Sequence, residues 1–448
     1  MNDKKWIMPI MLLLTFFLSC KTDNVHTLKC QPISDEQLMD LVERQTFNYF
    51  WDGAEPVSGL ACERYHVDGV YPDNDKQIVT SGGSGFGFMA MVAAIERGYI
   101  SRSQGLERFT KIMEWLEKAD RFHGVYPHWL NGETGTVQPF GKEDNGGDLV
   151  ETSFLFQGLL CVHQYYKDGN DAEKAIAARI DKLWREVDFD WFRNGQNILY
   201  WHWSPEYEWI KNFPVHGWNE CLIMYVLAAA SPTHGIPAEV YHEGWAMNGQ
   251  LSSPSEVEGF PLQMFQQVRP AGPLFWEHYS FLGLDPRGLK DRYADYWTEN
   301  VHQTLINRAY CIRNPKGFNG YSAECWGLSA SYSLIGYAAH APTENDDYGV
   351  ISPTAALSSI AYTPEYSMDA MRYFYHVLGE RLWGNYGFYD AFSLNTVWFP
   401  QRYLAIDQGP IPVMIENYRS QLLWNLFMSH PDIKAGLRKL GFESPHLQ

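Results

Sequence analysis

The run Cys221–Ala230, C-L-I-M-Y-V-L-A-A-A, is apolar on every side. Wound as a helix it leaves no face for water, so other elements must wrap it. The chain therefore has to close at least one further layer around it, and the run reads as an inner wall of a larger assembly. His216, Trp218, Asn219 and Glu220 stand at its entrance. Glu220 has two readings there. A carboxylate in a first helical turn offsets the helix dipole. One in apolar surroundings instead has its pKa raised and stays protonated near neutrality, as a general acid requires.

Other segments repeat the theme. Helical spacing predicts helices over 34–50, 101–118, 148–166, 171–186, 217–230 and 237–245. Further ones are expected over 261–267, 274–281, 293–310, 352–360, 367–382, 411–428 and 431–440. Strongly apolar and mixed helices recur along the chain without a fixed repeat length, which disfavours a stacked solenoid. That pattern suits an all-α fold, an α/α toroid whose inner helices are walled by outer ones. Short β-hairpins are expected in its loops, one of them over 197–203. Ser81–Gly98, S-G-G-S-G-F-G-F-M-A-M-V-A-A-I-E-R-G, looks like a nucleotide loop and is not one. Phe88 stands where a third Gly would be needed, and no Gly-Lys-Ser/Thr follows. A helix whose start comes close to a neighbour or a ligand explains the glycines better.

The N-terminus is set apart from this fold. Lys4 and Lys5 precede an apolar core from Ile7 to Leu18 that ends at Ser19-Cys20, the pattern of a secretory signal. Cys20 in that place resembles the lipidated first residue of a bacterial lipoprotein. Residues 1–19 are thus expected to be a signal peptide, 20–33 a tether and 34–448 a single domain, exported and held at the outer membrane by lipid. Contact with a membrane is expected only through that anchor. The 53 acidic against 35 basic side chains, with no Lys/Arg cluster, exclude nucleic acid as a partner and disfavour acidic polysaccharides. No C-x-x-C or H-E-x-x-H occurs, so neither a metal nor a cofactor is expected. Cys30 and Cys62 flank the first helix, and their pairing stays open.

The aromatic share is 15%, with 17 Trp and 27 Tyr, and part of it supplies flat faces for sugar rings. Carboxylates gather in the same loops. Asp144, Asp148 and Glu151 precede an apolar helix, where Asp148 and Glu151 also have capping-box spacing. Glu324 lies beside Trp326, and Asp407 precedes Gly409-Pro410. In a toroid several such helix entrances would meet at one face. Two carboxyl groups, one protonated and one ionised, are what hydrolysis of a glycosidic bond needs.

S-G-G-S-G-F-G (81–87), D-N-G-G-D-L-V-E-T (144–152), H-G-W-N-E (216–220) and Y-S-A-E-C-W-G (321–327) together resemble the glycoamylase-like domain of bacterial carbohydrate-active proteins. That group includes the endo-β-1,2-glucanases of glycoside hydrolase family 144. The resemblance runs from about Ser34 to the C-terminus. It implies a single (α/α)6 toroid, action on β-1,2-glucan with inversion, and Glu220 as general acid. Asp144, Asp148, Glu151 and Asp407 match acidic residues of the family's cleft, with Asp407 taken as the base and Asp148 next. His216, Trp218, Tyr321, Glu324 and Trp326 in the motifs, with Trp201 and Trp203, are the expected sugar-binding residues. The alternatives are an exo-acting glucosidase or glucoamylase-type hydrolase of another linkage, and a non-catalytic surface glycan-binding lipoprotein. A polysaccharide lyase would need basic residues for uronates, which the chain does not cluster.

Overall fold

The computed structural model describes residues 33–71, 77–264 and 271–448, and Asp35–Gln448 form one compact unit. The expected signal, Cys20 and Cys30 lie outside the described residues. In chain order the α-helices begin with α1 (Asp35–Trp51), α2 (Ser81–Glu96), α3 (Arg102–Leu116), α4 (Leu149–Tyr166), α5 (Asp171–Arg185) and α6 (Leu222–Ala230). A wide turn, Val240–Trp245, is followed by α7 (Phe275–His278), which continues tightly to Phe281, and then by α8 (Tyr296–Arg313). The chain then forms α9 (Pro353–Leu357), α10 (Pro364–Arg372), α11 (Ala405–Gln408), α12 (Pro410–Ser420), α13 (Leu422–Ser429) and α14 (Pro431–Lys439).

These helices make the expected α/α toroid. Six inner segments follow one another round the ring: α2, α4, α6, α7 with its extension, α9 and α12. The joint between α7 and α9 is polar. His278 Nε2 bonds Ser359 Oγ at 2.9 Å, and Tyr362 donates to the Glu277 carbonyl at 2.8 Å. Every residue of α6 and all of α2 except Glu96 are buried, as wrapped walls should be. Outer helices bury a stripe only. In α5 it is Glu173, Ile176, Ala177, Ile180, Leu183 and Trp184, with an Asn170–Glu173 capping box at its start.

The glycine cluster of α2 is explained by a neighbour. A Cβ on Gly85 would run into the Phe154 carbonyl, and one on Gly158 into the Gly85 carbonyl. Helices α2 and α4 therefore cross backbone on backbone, which only glycine permits.

Several elements differ from expectation. Residues 261–264, expected to begin a helix over 261–267, lie in a strand, Phe260–Met264, paired with Ser252–Val257. The Glu299 carboxylate accepts the backbone N–H of Gln263 at 2.8 Å, which holds the strand against α8. The stretch 411–428 is two helices, because Gln421 adopts φ 65° and breaks the run. The segment 197–203 does not fold on itself. Leu199–Tyr200 pairs with Pro214–Val215, and His202–Trp203 pairs with Gly147–Asp148. That second pairing fixes the approach to α4, where the carboxylates lie.

Candidate active site

The entrances of the inner helices meet around a cavity of about 460 Å³. Thr80 comes from the start of α2, and Glu151 and Phe154 from the first turns of α4. Glu220 precedes α6, Phe275 opens α7 with Tyr279 beyond it, and Leu404 and Ile406 flank the start of α11. The short strands Arg64–His66 and Trp129–Asn131 supply Arg64 and Trp129, with Glu63 and His128 just before them; loops add Phe140 and Trp201, and the hairpin 330–339 adds Tyr332 and Tyr337.

Glu220 sits just outside its helix. Cys221 takes the capping position, so the dipole of α6 begins beyond the carboxylate rather than around it. Asn219 Oδ1 accepts the Cys221 N–H at 2.9 Å, and Ser280 donates to the Glu220 carbonyl at 2.5 Å. The backbone is thereby fixed while the side chain faces the cavity. Burial pushes its carboxyl up to about 7, with the nearby Glu151 charge adding to the effect.

On the neighbouring inner helix, Asp148 organises the start of α4. One of its oxygens caps the helix, accepting the Glu151 N–H at 2.9 Å. The other bonds His128 Nδ1 and accepts Trp201 Nε1–H, both at 2.8 Å. Only half of the expected capping box forms, because the Glu151 side chain turns instead to α2 and accepts the Gly82 N–H at 2.9 Å. A Cβ on Gly82 would strike that carboxylate, so this glycine makes room for Glu151. Burial lifts Glu151 to about 7 against the pull of His128. Burial opposes the charge on His128, yet the Glu151 and Asp148 carboxylates raise it to about 9, so it is an imidazolium at neutrality. Phe140 stacks on the His128 ring at 4.1 Å, and Trp129 meets Phe140 edge-on at 4.8 Å, so one wall is aromatic.

Asp407, in α11, is 1% exposed and reaches the cavity through Tyr279, whose hydroxyl donates to Oδ1 at 3.2 Å. The Asp390 carboxyl stands within hydrogen-bonding reach of it, and Asp390 Oδ2 accepts the Tyr332 N–H at 2.7 Å. Burial and the Asp390 carboxyl push Asp407 well above the usual range, and burial raises Asp390 to about 6. Two carboxyl groups so close disfavour ionising together.

Of the expected residues, Glu220, Glu151 and Trp201 line the cavity, Asp148 braces it and Asp407 lies behind it. The others are elsewhere. Trp218 is fully buried, and its Nε1–H donates to Glu277 at 2.9 Å; it is a core residue, not a sugar platform. Gly217, at φ 75°, makes the turn just before it. Trp326 is likewise core, and Glu324 is exposed on a turn held by Ser322. Tyr321 donates to Asp347 at 2.7 Å, Trp203 packs edge-on against Trp191, and His216 is half-buried outside the lining. Asp144 is tied to Lys211 at 2.9 Å, with His202 at 3.4 Å. Sequence reasoning missed Glu63, His128, Trp129, Phe140 and Tyr279. His128 and Trp129 stand in the loop H-W-L-N-G-E-T-G, whose aromatic and polar crowding was the signal for them.

The glycoamylase family model matches residues 212–431. An endo-β-1,2-glucanase from Chitinophaga pinensis, solved with sophorotriose and glucose, is 66% identical, with 93% of this chain and 100% of that chain covered and a TM-score of 0.92. A β-1,2-glucanase from Parabacteroides distasonis is 46% identical, with 92% of this chain and 60% of that chain covered and a TM-score of 0.87. A curated relative from the same species, an exo β-1,2-glucooligosaccharide sophorohydrolase acting at the non-reducing end, is 46% identical over 91% of this chain. The chain spans 58% of the length of that relative.

Proposed function

The chain belongs to the glycoamylase-like family, and from that membership and its cavity we propose that it hydrolyses a neutral β-glucan, β-1,2-glucan above all, in the endo mode and with inversion. The observation that carries this reading is Glu220, a carboxyl held near pH 7 by burial on the wall of an aromatic cavity. Protonated, it donates to the glycosidic oxygen as the C1–O bond breaks. A water attacks C1 from the opposite side and gives its proton to a base, which leaves the anomeric configuration inverted.

Asp407 is the proposed base. In its ionised form it can accept that proton, and the raised affinity for a proton that burial and Asp390 give it favours the transfer. Tyr279 links it to the cavity and lies within electrostatic reach of both Asp407 and Glu220. A second reading takes Glu151 as base, because Glu151 lines the cavity directly whereas Asp407 does not. Azide rescue separates the two. Glycosyl azide is expected from Asp407→Ala, and its appearance only from Glu151→Ala would transfer the role.

Both an endo- and an exo-acting enzyme stand among the similar proteins, so the mode of action is tested on products. Wild-type protein is expected to release a ladder of short oligosaccharides from linear β-1,2-glucan. Release of a single disaccharide from the first minutes would show exo action, and no release from any glucan would leave a glycan-binding protein. Lipid anchoring at Cys20 is proposed alongside. Cys20→Ala should leave the membrane fraction or stay unprocessed, and a variant still lipidated would place the anchor elsewhere.

A further inference from the structure

A second groove, of about 530 Å³, lies between the end of α5 and the loop after α6 and shares no lining residue with the cavity. Its walls include Asp188, Asp190, Trp191, Asn194, Trp209 and His234, and none of the described lining residues is Lys or Arg. Trp191 is 40% exposed, an unusual state for so large an apolar ring. Its position is nonetheless rigid. His123 stacks on it at 3.8 Å, Trp203 meets it edge-on at 5.7 Å, and the Trp191 backbone N–H donates to Asp188 Oδ1 at 3.0 Å. Trp209 lies 6.5 Å away at 31°, so the two indoles present adjoining apolar surfaces.

A ring fixed in advance loses little freedom when a ligand covers it. Flat indoles edged by carboxylate, amide and imidazole groups suit a ligand with an apolar ring face and hydroxyls at its rim. The acidic, lysine-free lining disfavours polyanions. The two indoles exceed what a small ion needs. We propose that this groove is a second carbohydrate site, holding a strand of the polymeric β-glucan outside the catalytic cavity. The proposal rests on the glucan reading for its occupant. Its consequence is that polymer is captured and kept near the cavity while short oligosaccharides gain nothing from it.

The test compares linear β-1,2-glucan with its trisaccharide. In Trp191→Ala the ratio of kcat/KM for polymer to that for trisaccharide should fall about tenfold, with matching loss of retardation in polymer-containing gels. Trp191→Tyr, which keeps a flat ring, should recover most of both. His234→Ala leaves the indole packing alone, since its side chain is 45% exposed, and should lower the ratio in the same direction. An unchanged ratio and retardation in folded Trp191→Ala and His234→Ala would overturn the groove while wild-type hydrolysis upheld the enzyme. If wild type cleaves no β-1,2-glucan, the substrate reading falls instead. The groove then stands only if gels of β-1,3- or β-1,4-glucan retard wild type and not Trp191→Ala.

Discussion

Glu220 combines function with a cost to stability. Its folded pKa, about 7, lies above the ordinary 4.5, so the folded state binds its proton more tightly than the unfolded chain does. The stability tied to that proton is fully present below pH 4.5 and is lost as pH rises through about 7. Activity should fall over the same alkaline range as the acid loses its proton. Glu220→Gln, which cannot ionise, should therefore melt above wild type at pH well above 7 and level with it near pH 4.5. Equal melting at both would mean that the carboxyl titrates normally. His128 behaves in the same direction for another reason. Its stabilisation by Asp148 and Glu151 is complete below 6.5 and fades as pH rises through about 9. The melting deficit of His128→Gln should shrink over that range, and a constant deficit would show that packing alone matters. Glu220 and Glu151 were legible in the sequence because carboxylates before wholly apolar helices are few. Trp218 and Trp326 misled because an indole beside a carboxylate reads the same whether it faces sugar or core. Only burial separates the cases, and burial depends on residues distant in sequence such as Glu277.

Among the elements, α2 and α4 do most to shape the site. Gly85 and Gly158 let them cross in contact, Gly82 admits the Glu151 carboxylate, and the cavity opens above. Gly85→Ala would press a methyl into the Phe154 carbonyl and should cost about 3 kcal/mol by thermal or urea unfolding. A change within about 0.5 kcal/mol would show that the helices can separate freely. The glycines were visible in the sequence, but whether a neighbour or a ligand required them was not. The strand at 260–264 was missed because a short apolar run has no period that separates helix from strand. Its fate is set by Glu299, some 35 residues on, which holds its backbone N–H groups. The break at Gln421 left no Gly or Pro to mark it.

For the whole molecule, alternation of wholly apolar and one-sided helices was enough to read inner and outer helical layers, while the six-fold ring came from the resemblance carried by the motifs. The meeting of loops at one end could be anticipated in outline but not residue by residue. His128 and Trp129 meet Phe140 only once the strand 129–131 and the loop at 140 fold together beside Asp148. Among the described residues, no group of three or more His, Cys, Asp or Glu side chains is placed to hold a metal ion. Activity is therefore expected to survive exhaustive EDTA treatment. Loss restored only by Ca²⁺ would recast some loop carboxylates as ion ligands. The central claim, hydrolysis with Glu220 as proton donor, is tested most directly by following linear β-1,2-glucan with wild type and Glu220→Gln by ¹H NMR at the wild-type pH optimum. Wild type should yield new reducing ends of inverted anomeric configuration, and the variant a rate about 10²–10⁴ lower. A variant within about threefold of wild type would remove Glu220 as the donor, and products that keep the substrate's configuration would rule out inversion.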